Sequence, residues 1–452
     1  MQEYREITHS GAQRNEETMS TKPSQIRDSL YGLMPISTEA LTILRLPEFL
    51  RLDGIQQLGF ASRIWPGAKH TRFEHSLGVM HLAELAVTHL RALPSGGEIS
   101  DDDARVVIAA ALLHDIGHYP FSHAIEELGP PIRNHEEVGR ALIISSEIAD
   151  VLRDVWQIDP ARVAGMIHGG DLQGNDRVLR GLLSGTLDVD KLDYLPRDAR
   201  ACNVPYGGVD TERLIDALTI VETPTRERRI GIGDKGISPL HSLINARQEM
   251  FDNVYWHHTN RACMVMLLRA VQDALIAGCI KADSLTNHTD ASLLAMLQTD
   301  AMPDATRELA QALALRRIHK RGIEISARAS DLYDRIGQLW YAPAKRRQVE
   351  LAMAARLQSM LSTPVASTAI LIDIPKPERW KTDVWVQFER APIGMEPLMH
   401  WQDVVGMNDA DLKNYEEHRR LVRLVTEASI AEAVRTHWEE LLVPSLEETD
   451  VD

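Results

Sequence analysis

Apolar residues recur at helical spacing along most of the chain. Between Leu41 and Ala92 they fall three or four positions apart, and the stretch at 105–116, RVVIAAALLHDI, is apolar until its polar end. This spacing places apolar side chains on one face of a helix, and the second stretch is typical of a buried helix. Helix-forming composition continues at 146–156, 177–185, 242–278 and 308–361. The pattern predicts a mainly α protein.

Strand signals are short and confined to a few places. They occur at 228–238 (RRIGIGDKGIS), 369–374 (AILIDI) and 384–389 (VWVQFE). Residues 1–28 are polar and aperiodic, which predicts a flexible tail, and residues 447–452 have the same character. We therefore expect a helical protein with a small β element in its carboxyl-terminal part.

Length and composition are those of an ordinary globular protein. The 452 residues suffice for one large helical domain or several smaller ones, with 44% hydrophobic and 25% charged residues. No apolar run approaches the roughly 20 residues that span a bilayer. The first residues also lack the basic start and apolar stretch of a secretory signal. We expect no membrane partner and a cytoplasmic location.

Cysteine content and charge argue against other kinds of site. Cys202, Cys263 and Cys279 form no Cys-x-x-Cys pair, which disfavours a disulfide framework or a thiolate zinc site. The 65 acidic residues outnumber the 49 basic residues, and the net charge of −16 repels polyanions. Nucleic acid is therefore not a favoured partner, because its binding would need a local basic patch.

Histidine is concentrated in one part of the chain. Of the 18 histidines, eight fall between residues 65 and 135: His70, His75, His81, His89, His114, His118, His123 and His135. Imidazole is the commonest metal ligand and titrates near neutral pH, so this clustering indicates a chemical role.

The segment LLHDIGHYPFSH at 112–123 lies at the centre of this cluster. His114 and Asp115 end an apolar helix, and His118 follows one turn later. The segment TRFEHS precedes it at 71–76, and the aspartate-rich DVDKLDYLPRD follows at 188–198. In a helix, Asp190, Tyr194 and Asp198 would share one face, although Pro196 is expected to interrupt that helix.

Two histidines and two carboxylates together suit a divalent metal such as Mn, Fe, Zn or Mg, with positions open to water and substrate. A lone His-Asp pair is more often a hydrogen bond at a helix end. The combination of a buried helix ending in His-Asp, an Arg-x-x-His before it and the aspartates after it favours metal catalysis.

The ordered motifs are PEFLRLDGIQQLGFASRIWPGAKHTRFEHSLGVMHLAE, ALLHDIGHYPFSH, NHEEVG and LDVDKLDYLPRDARACNVPYGGVD. They resemble those of HD-domain phosphohydrolases, specifically the deoxynucleoside triphosphate triphosphohydrolase branch. The resemblance implies an HD helical core at 29–270 and a mostly helical lobe with short strands at 271–452, continuous with the core. The implied reaction is metal-dependent cleavage of a deoxynucleoside triphosphate to deoxynucleoside and inorganic triphosphate.

The resemblance also implies roles for individual residues. The metal ligands would be His75, His114, Asp115 and Asp190, and the catalytic residues around them would be Arg72, His118, His123 and His135. Lys191 and Arg247 would contact the triphosphate, Gln57, Tyr194 and Asp198 the sugar, and Tyr255 and His257 would line the pocket. In this scheme His123 protonates the departing 5′ oxygen, while His118 and Arg72 stabilise charge on the phosphate.

The resemblance further implies a nucleotide substrate, a regulatory nucleotide and a homo-oligomer. Two positions depart from the family pattern: His258 stands where relatives usually carry lysine, and Pro196 stands where they carry a small residue.

Other interpretations stay open at this stage. An HD metal site also serves phosphatases, phosphodiesterases and nucleases acting on other nucleotides or nucleic acid, and it can bind a nucleotide without turnover. The triplet Gly231, Gly233 and Gly236 lacks the context of a dinucleotide fold and is interpreted as a turn in a predicted hairpin. The basic run RRIHKR at 316–321 is interpreted as a solvated helix face, and an anion or nucleotide site stays open as the alternative.

Overall fold

A computed structural model describes residues 24–374, 382–407, 410 and 420–449. The helices are α1 Thr38–Leu44, α2 Pro47–Leu50, α3 Arg72–Ala92, α4 Asp101–Leu113, α5 His135–Ser145, α6 Glu147–Asp154, α7 Pro160–His168, α8 Gly174–Leu179, α9 Val189–Cys202, α10 Thr211–Asp216, α11 Ile237–Met250, α12 His258–Ile276, α13 Asp290–Met296, α14 Asp304–Ala314, α15 Ser330–Gln338, α16 Pro343–Leu361, α17 Trp401–Val405 and α18 Ala431–Glu448. The predicted fold class, mainly α with a small β element in the carboxyl-terminal part, is confirmed.

The strands form three small sheets. The strands are β1 Ser24–Asp28, β2 Gly32–Ile36, β3 Leu218–Glu222, β4 Arg228–Gly233, β5 Lys320–Ser326, β6 Ile370–Asp373, β7 Trp385–Gln387, β8 Leu398–His400 and β9 Leu421–Thr426. β1 and β2 form a hairpin, a second sheet has the order β3-β4-β7-β8, and a third has the order β5-β9-β6. Only the β4–β7 pair is parallel among the described strands.

Helices α3, α4 and α9 form the centre of the core and carry the site residues. Thr71 and Ser100 begin α3 and α4 with reciprocal capping boxes, in which the cap side chain and the third residue of the helix satisfy each other's backbone N–H. α3 and α9 approach closely at Gly78, where a Cβ would collide with Asp193 Oδ1. A glycine is therefore required at this contact.

Helix α9 runs through Pro196 without a break, so the expected interruption is wrong. Proline has no N–H to donate to the carbonyl four residues earlier, which is that of Leu192. The hydroxyl of Thr211 donates to this carbonyl at 3.3 Å and replaces the missing bond. Asp198 consequently stays on the same helix as Asp190.

The predicted amino-terminal tail, residues 1–28, is too long. Ser24–Asp28, assigned to the tail, pairs in register with Gly32–Ile36, and Asp28 is buried because its carboxylate binds Arg197 at 2.8 Å. Residues 1–23 lie outside the described part of the chain. The predicted division at 270/271 falls inside α12, and β7 joins the sheet of β3 and β4, so the two parts share elements.

Two further expectations fail in the carboxyl-terminal part. The segment 308–361 is not continuously helical, because β5 intervenes between α14 and α15. The run 316–321 is not a helix face either: it leaves α14, buries His319 and enters β5, which pairs with β9. Gly231 and Gly233 lie within β4, and Gly236 precedes α11, so the triplet is the end of a hairpin strand rather than a turn.

Candidate metal centre and active site

Four potential ligands converge where α3, α4 and α9 meet. His75 lies in α3 with no exposed surface, His114 ends α4, and Asp190 lies in the first turn of α9. His75 Nε2 is 3.2 Å from His114 Nε2 and 3.0 Å from Asp190 Oδ1. Asp115 lies beside both histidines, with its oxygens 3.7 Å from His75 Nε2 and 3.4 Å from His114 Nε2. The structure thus brings together all four residues predicted as metal ligands.

The opposite ring nitrogens fix how the two histidines face the site. Nδ1 of His75 is 2.7 Å from Asp193 Oδ2, and Nδ1 of His114 is 2.8 Å from the carbonyl oxygen of Ala111. Both partners are acceptors, so each Nδ1 carries the proton, and both Nε2 atoms point at each other and at Asp190. In two neutral imidazoles protonated at Nδ1, the lone pairs of the two Nε2 atoms would face and repel each other. A shared cation resolves this contact, and the donor set fits a divalent metal.

The electrostatics of the site favour a cation. Burial lowers the pKa of His75, but its bonds with Asp190 and Asp193 outweigh burial and raise the pKa to about 10. Burial opposes the ionisation of Asp190, yet the neighbouring histidines hold its pKa below the ordinary value. For Asp115, Arg72 is the main charge that overcomes burial and depresses the pKa. In the absence of metal, the histidines bind protons in the position where a metal would bind.

Asp193 is a site residue that sequence reasoning did not single out. It has no exposed surface, and it binds His75, Arg197 (2.8 and 2.9 Å) and the hydroxyl of Tyr31 (2.8 Å). It therefore connects the metal centre to the buried Arg197–Asp28 pair. Its position three residues after Asp190, on the same helix face, was the available signal.

Arg72 and His118 flank Asp115. The guanidinium of Arg72 binds the Asp115 carboxylate and donates to Ser122 Oγ at 3.0 Å. His118 is 1% exposed, and its Nε2 lies 3.1 Å from Asp115 Oδ1. Burial, followed by the charges of Arg72 and His135, holds the pKa of His118 well below the ordinary value. His118 is therefore a neutral imidazole at physiological pH.

The other predicted catalytic histidines surround Glu126. His135 stacks on His118 with ring centroids 3.9 Å apart, and His135 Nδ1 is 2.9 Å from Glu126 Oε1. His123 Nδ1 lies 3.8 Å from the same oxygen, and its side chain is 62% exposed. Sequence reasoning missed Glu126. Burial opposes ionisation of its carboxyl group, but His123 and His135 hold its pKa far below the ordinary value. It follows His123 by three residues in a short 3₁₀ helix, Ser122–Leu128, but a single acidic residue there carries no distinctive sequence signal.

Part of the predicted substrate pocket lies beside the metal centre. The ring centroid of Tyr194 is 6.4 Å from that of His75 and 6.3 Å from that of Tyr255. Burial raises the pKa of Tyr194 to about 12, against the opposing charge of Arg247, so Arg247 is also near. Asp198 accepts a bond from the Tyr255 hydroxyl at 2.7 Å and lies 2.7 Å from His70 Nε2. Both of its oxygens are thus engaged within the protein.

The remaining predicted contacts are placed less directly. Lys191 Nζ binds Asp188 at 2.6 Å and the carbonyl of Gly185 at 2.9 Å, so its ammonium is held at the start of α9. The backbone of Gln57 pairs with His70, and its buried Oε1 has no partner among the described residues. His257 caps α12 beside Trp65, with ring centroids 5.3 Å apart, and its contacts in the described part of the chain are not with the metal ligands.

Comparison with known families gives this geometry its context. Residues 72–167 match the HD domain, and residues 209–435 match the HD associated region, which alone covers half of the chain. The chain belongs to the HD-domain superfamily. Three of the four candidate ligands lie in the segment that matches the HD domain, and Asp190 lies between the two matched segments.

Similar HD proteins include characterised and uncharacterised members. The chain is 33% identical to an uncharacterized protein of Methanocaldococcus jannaschii over 60% of this chain and 54% of that protein. It is 36% identical to an uncharacterized protein of Bacillus subtilis over 50% of each chain. It is 29% identical to the deoxynucleoside triphosphate triphosphohydrolase SAMHD1 of Homo sapiens over 54% of this chain and 44% of that protein. The chain spans about half the length of the curated relatives it matches.

A solved structure shares the fold of this HD protein. The crystal structure of a hypothetical protein from Aquifex aeolicus aligns with a TM-score of 0.71 at 24% identity, over 92% of this chain and 100% of that one. Within residues 24–374, 382–407, 410 and 420–449, every helix is too short or too polar to cross a membrane.

Proposed function

We propose that this HD protein is a metal-dependent phosphohydrolase that cleaves deoxynucleoside triphosphates to deoxynucleoside and inorganic triphosphate. The observation that carries the proposal is the convergence of His75, His114 and Asp190, with Asp115, Arg72 and His118 directly beside them. These are the ligands and charged groups that a phosphoryl-transfer site requires. The metal would be Mn, Fe, Mg or Zn, held by His75, His114, Asp115 and Asp190.

A divalent cation bound there would supply a Lewis acid for a phosphate oxygen and would favour ionisation of water. The chain's own residues would do the remaining work. Arg72 presents a guanidinium fixed by Asp115 and Ser122, and a fixed guanidinium can pair with phosphate oxygens as negative charge develops. His118, neutral and buried, can donate a hydrogen bond without bringing a second positive charge against Arg72.

Proton donation to the leaving oxygen is proposed for His123. It is the exposed member of the histidine group, so a substrate can reach it. The Glu126 carboxylate lies 3.8 Å from His123 Nδ1, and His135 binds the same carboxylate oxygen. General-acid catalysis of this kind typically contributes about 10²–10⁴-fold to a rate.

The choice of a deoxynucleoside triphosphate rests on the named relatives and on the pocket beside the metal centre. Tyr194 provides a flat apolar face next to His75, and Tyr255 lies beside Tyr194, which suits a sugar or base. Arg247 lies near Tyr194 and would contact the triphosphate. A homo-oligomer, a regulatory nucleotide and a cytoplasmic location belong to the same proposal and stay predictions.

A different phosphate ester is the second candidate. Lys191 is bound to Asp188, and both oxygens of Asp198 are engaged by His70 and Tyr255. To contact a deoxynucleoside triphosphate, Lys191 and Asp198 would have to break these bonds within the protein. A nucleoside monophosphate, another phosphodiester or a nucleic acid end would require fewer of these bonds to break.

Product analysis separates the candidates. The purified protein is incubated with Mn²⁺ or Mg²⁺ and each deoxynucleoside triphosphate, with and without GTP. Deoxynucleoside plus inorganic triphosphate in a 1:1 ratio is expected, and His114→Ala should abolish it. Orthophosphate alone, or turnover only of monophosphates or oligonucleotides, would replace the triphosphate reaction with the second candidate. Nucleotide binding without any product would contradict both.

A further inference from the structure

A group of basic residues lies outside the metal centre, at the end of α7. His168 is the last residue of α7, and both of its ring nitrogens are buried without a hydrogen-bond partner among the described residues. Buried imidazole nitrogens are normally hydrogen-bonded, because an unpaired polar atom pays its full desolvation cost. The described residues supply no partner, which leaves this position for a ligand or a water molecule.

Two arginines on neighbouring segments lie near His168, and the positive charges of both act on its ring. Gly169 follows His168, and the Nη2 atom of Arg180 lies 3.1 Å from the position that a Cβ on Gly169 would occupy. Gly139 precedes Arg140 on α5, and its Cβ position is 3.5 Å from His168 Cε1. The basic group therefore draws one residue from each of α5, α7 and the turn after α8.

The arginines of this group lack acidic partners. Arg180 Nε is buried and unpaired, and neither Arg180 nor Arg140 forms an ion pair with a carboxylate in the described part of the chain. Nearby Arg162, by contrast, binds Asp102, Asp103 and Asp176. In a chain with a net charge of −16, two neighbouring arginines that form no described ion pair attract anions locally.

The charges around His168 indicate that its ligand is an anion. Burial first, and then the positive charges of His135, Arg140 and Arg180, lower the pKa of His168 to about 4. Among the described residues, the charges that lower the pKa of His168 are all positive. A cation would be repelled from this position, whereas an oxyanion would satisfy the two guanidiniums and accept a bond from the imidazole N–H.

We propose that Arg140, His168 and Arg180 form an anion site that binds a phosphate-type oxyanion separately from the metal centre. His135 stands between the two sites, since its ring stacks on His118 and its charge acts on His168. The ligand is either free inorganic phosphate or polyphosphate, or the terminal phosphate of a nucleotide. The proposal depends on the geometry of these three residues and holds whatever ester the metal centre cleaves.

The test follows the His168 ring directly. The full chain is loaded with Mg²⁺, labelled with ¹³C at the histidine Cε1 atoms, and observed by NMR, with His168→Gln identifying the signal. Inorganic phosphate, inorganic triphosphate and a non-hydrolysable deoxynucleoside triphosphate analogue are titrated separately. The His168 signal is expected to move saturably, and the pKa of His168 should rise when the oxyanion binds.

Variants link the response to the basic group. Arg180→Gln should weaken binding, measured on the His168 signal, by about tenfold or more, because a charge-assisted bond is lost. Arg140→Gln removes an exposed charge and should act in the same direction if Arg180→Gln does not fold. Arg153→Gln on α6, which breaks only a surface pair with Asp150, is the matched control and should leave binding unchanged.

The outcomes are distinct. A response to phosphate and triphosphate but not to the analogue identifies a free oxyanion, and a response to the analogue alone identifies the terminal phosphate of a nucleotide. A His168 signal that no probe moves at millimolar concentration overturns the proposal. So does equal affinity in the Arg180→Gln, Arg140→Gln and Arg153→Gln variants.

Discussion

Replacing Asp193 with asparagine tests how the core supports the metal centre. Asp193 is fully buried and accepts bonds from His75, Arg197 and Tyr31. Asparagine has nearly the same shape as aspartate but no charge. An NH2 group, which donates hydrogen bonds, replaces one of the two carboxylate oxygens, which accept them. After Asp193→Asn, Arg197 keeps only Asp28 as an acidic partner, and His75 loses the carboxylate that fixes its ring.

The expected losses are large in two independent quantities. Removing one partner of a buried ion pair costs about 3–5 kcal/mol in the free energy of unfolding. Removing the acceptor that orients a metal-bound histidine typically costs about 10–100-fold in metal affinity. Burial opposes ionisation of Asp193, but Arg197 and His75 hold its pKa below the ordinary value. Its contribution to stability is thus complete above the unfolded pKa of about 3.9 and is lost as pH falls through the folded pKa.

Urea unfolding of the metal-free protein at pH 7 and under acid conditions, together with Mn²⁺ titration, measures both quantities. Asp216→Asn, at an exposed position on α10, is the matched control. The difference between Asp193→Asn and wild type should shrink as pH falls below about 4. If Asp193→Asn unfolds within about 0.5 kcal/mol of the control at pH 7, or binds Mn²⁺ as tightly as wild type, this role of Asp193 is refuted.

Three further changes have defined outcomes. Gly78→Ala should separate α3 from α9, because the added Cβ collides with Asp193, and should reduce both stability and Mn²⁺ affinity; unchanged Mn²⁺ affinity in calorimetry would contradict it. Burial raises the pKa of Glu84 to about 7, so the folded protein loses stability as pH rises from 4.5 towards 7. Glu84→Gln should therefore raise the thermal midpoint at pH 8 and leave it unchanged at pH 4, and the opposite pH trend would rule this out. Glu126→Gln should lower kcat by at least about tenfold with little change in KM, because Glu126 positions His135 rather than holding the phosphate; a change confined to KM would count against this.

The helical core could be predicted because its signal is local. The spacing of apolar residues marks α3 and α4, and the end of the apolar run at Leu113 locates the His-Asp pair at the end of α4. The candidate ligands were predictable for the same reason, since each stands in a short motif with several chemically distinctive neighbours.

The strands were harder to predict because their partners are distant in sequence. β5 and β6 both pair with β9, and β5 is separated from β9 by almost one hundred residues. A basic run such as 316–321 has no local feature that distinguishes a strand entrance from a helix face. The hairpin of β1 and β2 was missed because Asp28, which looks like a tail residue, is buried by pairing with Arg197.

Supporting residues of the site were missed for a related reason. Asp193 acts through a histidine that the fold brings to it, since it lies 118 positions from His75, whereas Glu126 is close in sequence to His123 and His135 but has no motif of its own. Pro196 illustrates the reverse error, since its local effect on α9 is compensated by Thr211 from a different segment. Sequence motifs therefore indicate which residues can bind metal, whereas the residues that orient them depend on tertiary contacts.

The most direct test of the account measures bound metal and product release on the same sample. Metal-stripped protein is titrated with Mn²⁺ while deoxynucleoside and inorganic triphosphate are quantified at each step. Product formation should begin with the first metal, rise in proportion to binding at the high-affinity site, and be absent together with that binding in His114→Ala. Full turnover in the stripped protein, or unchanged metal binding in His114→Ala, would contradict a metal centre built on His75, His114 and Asp190.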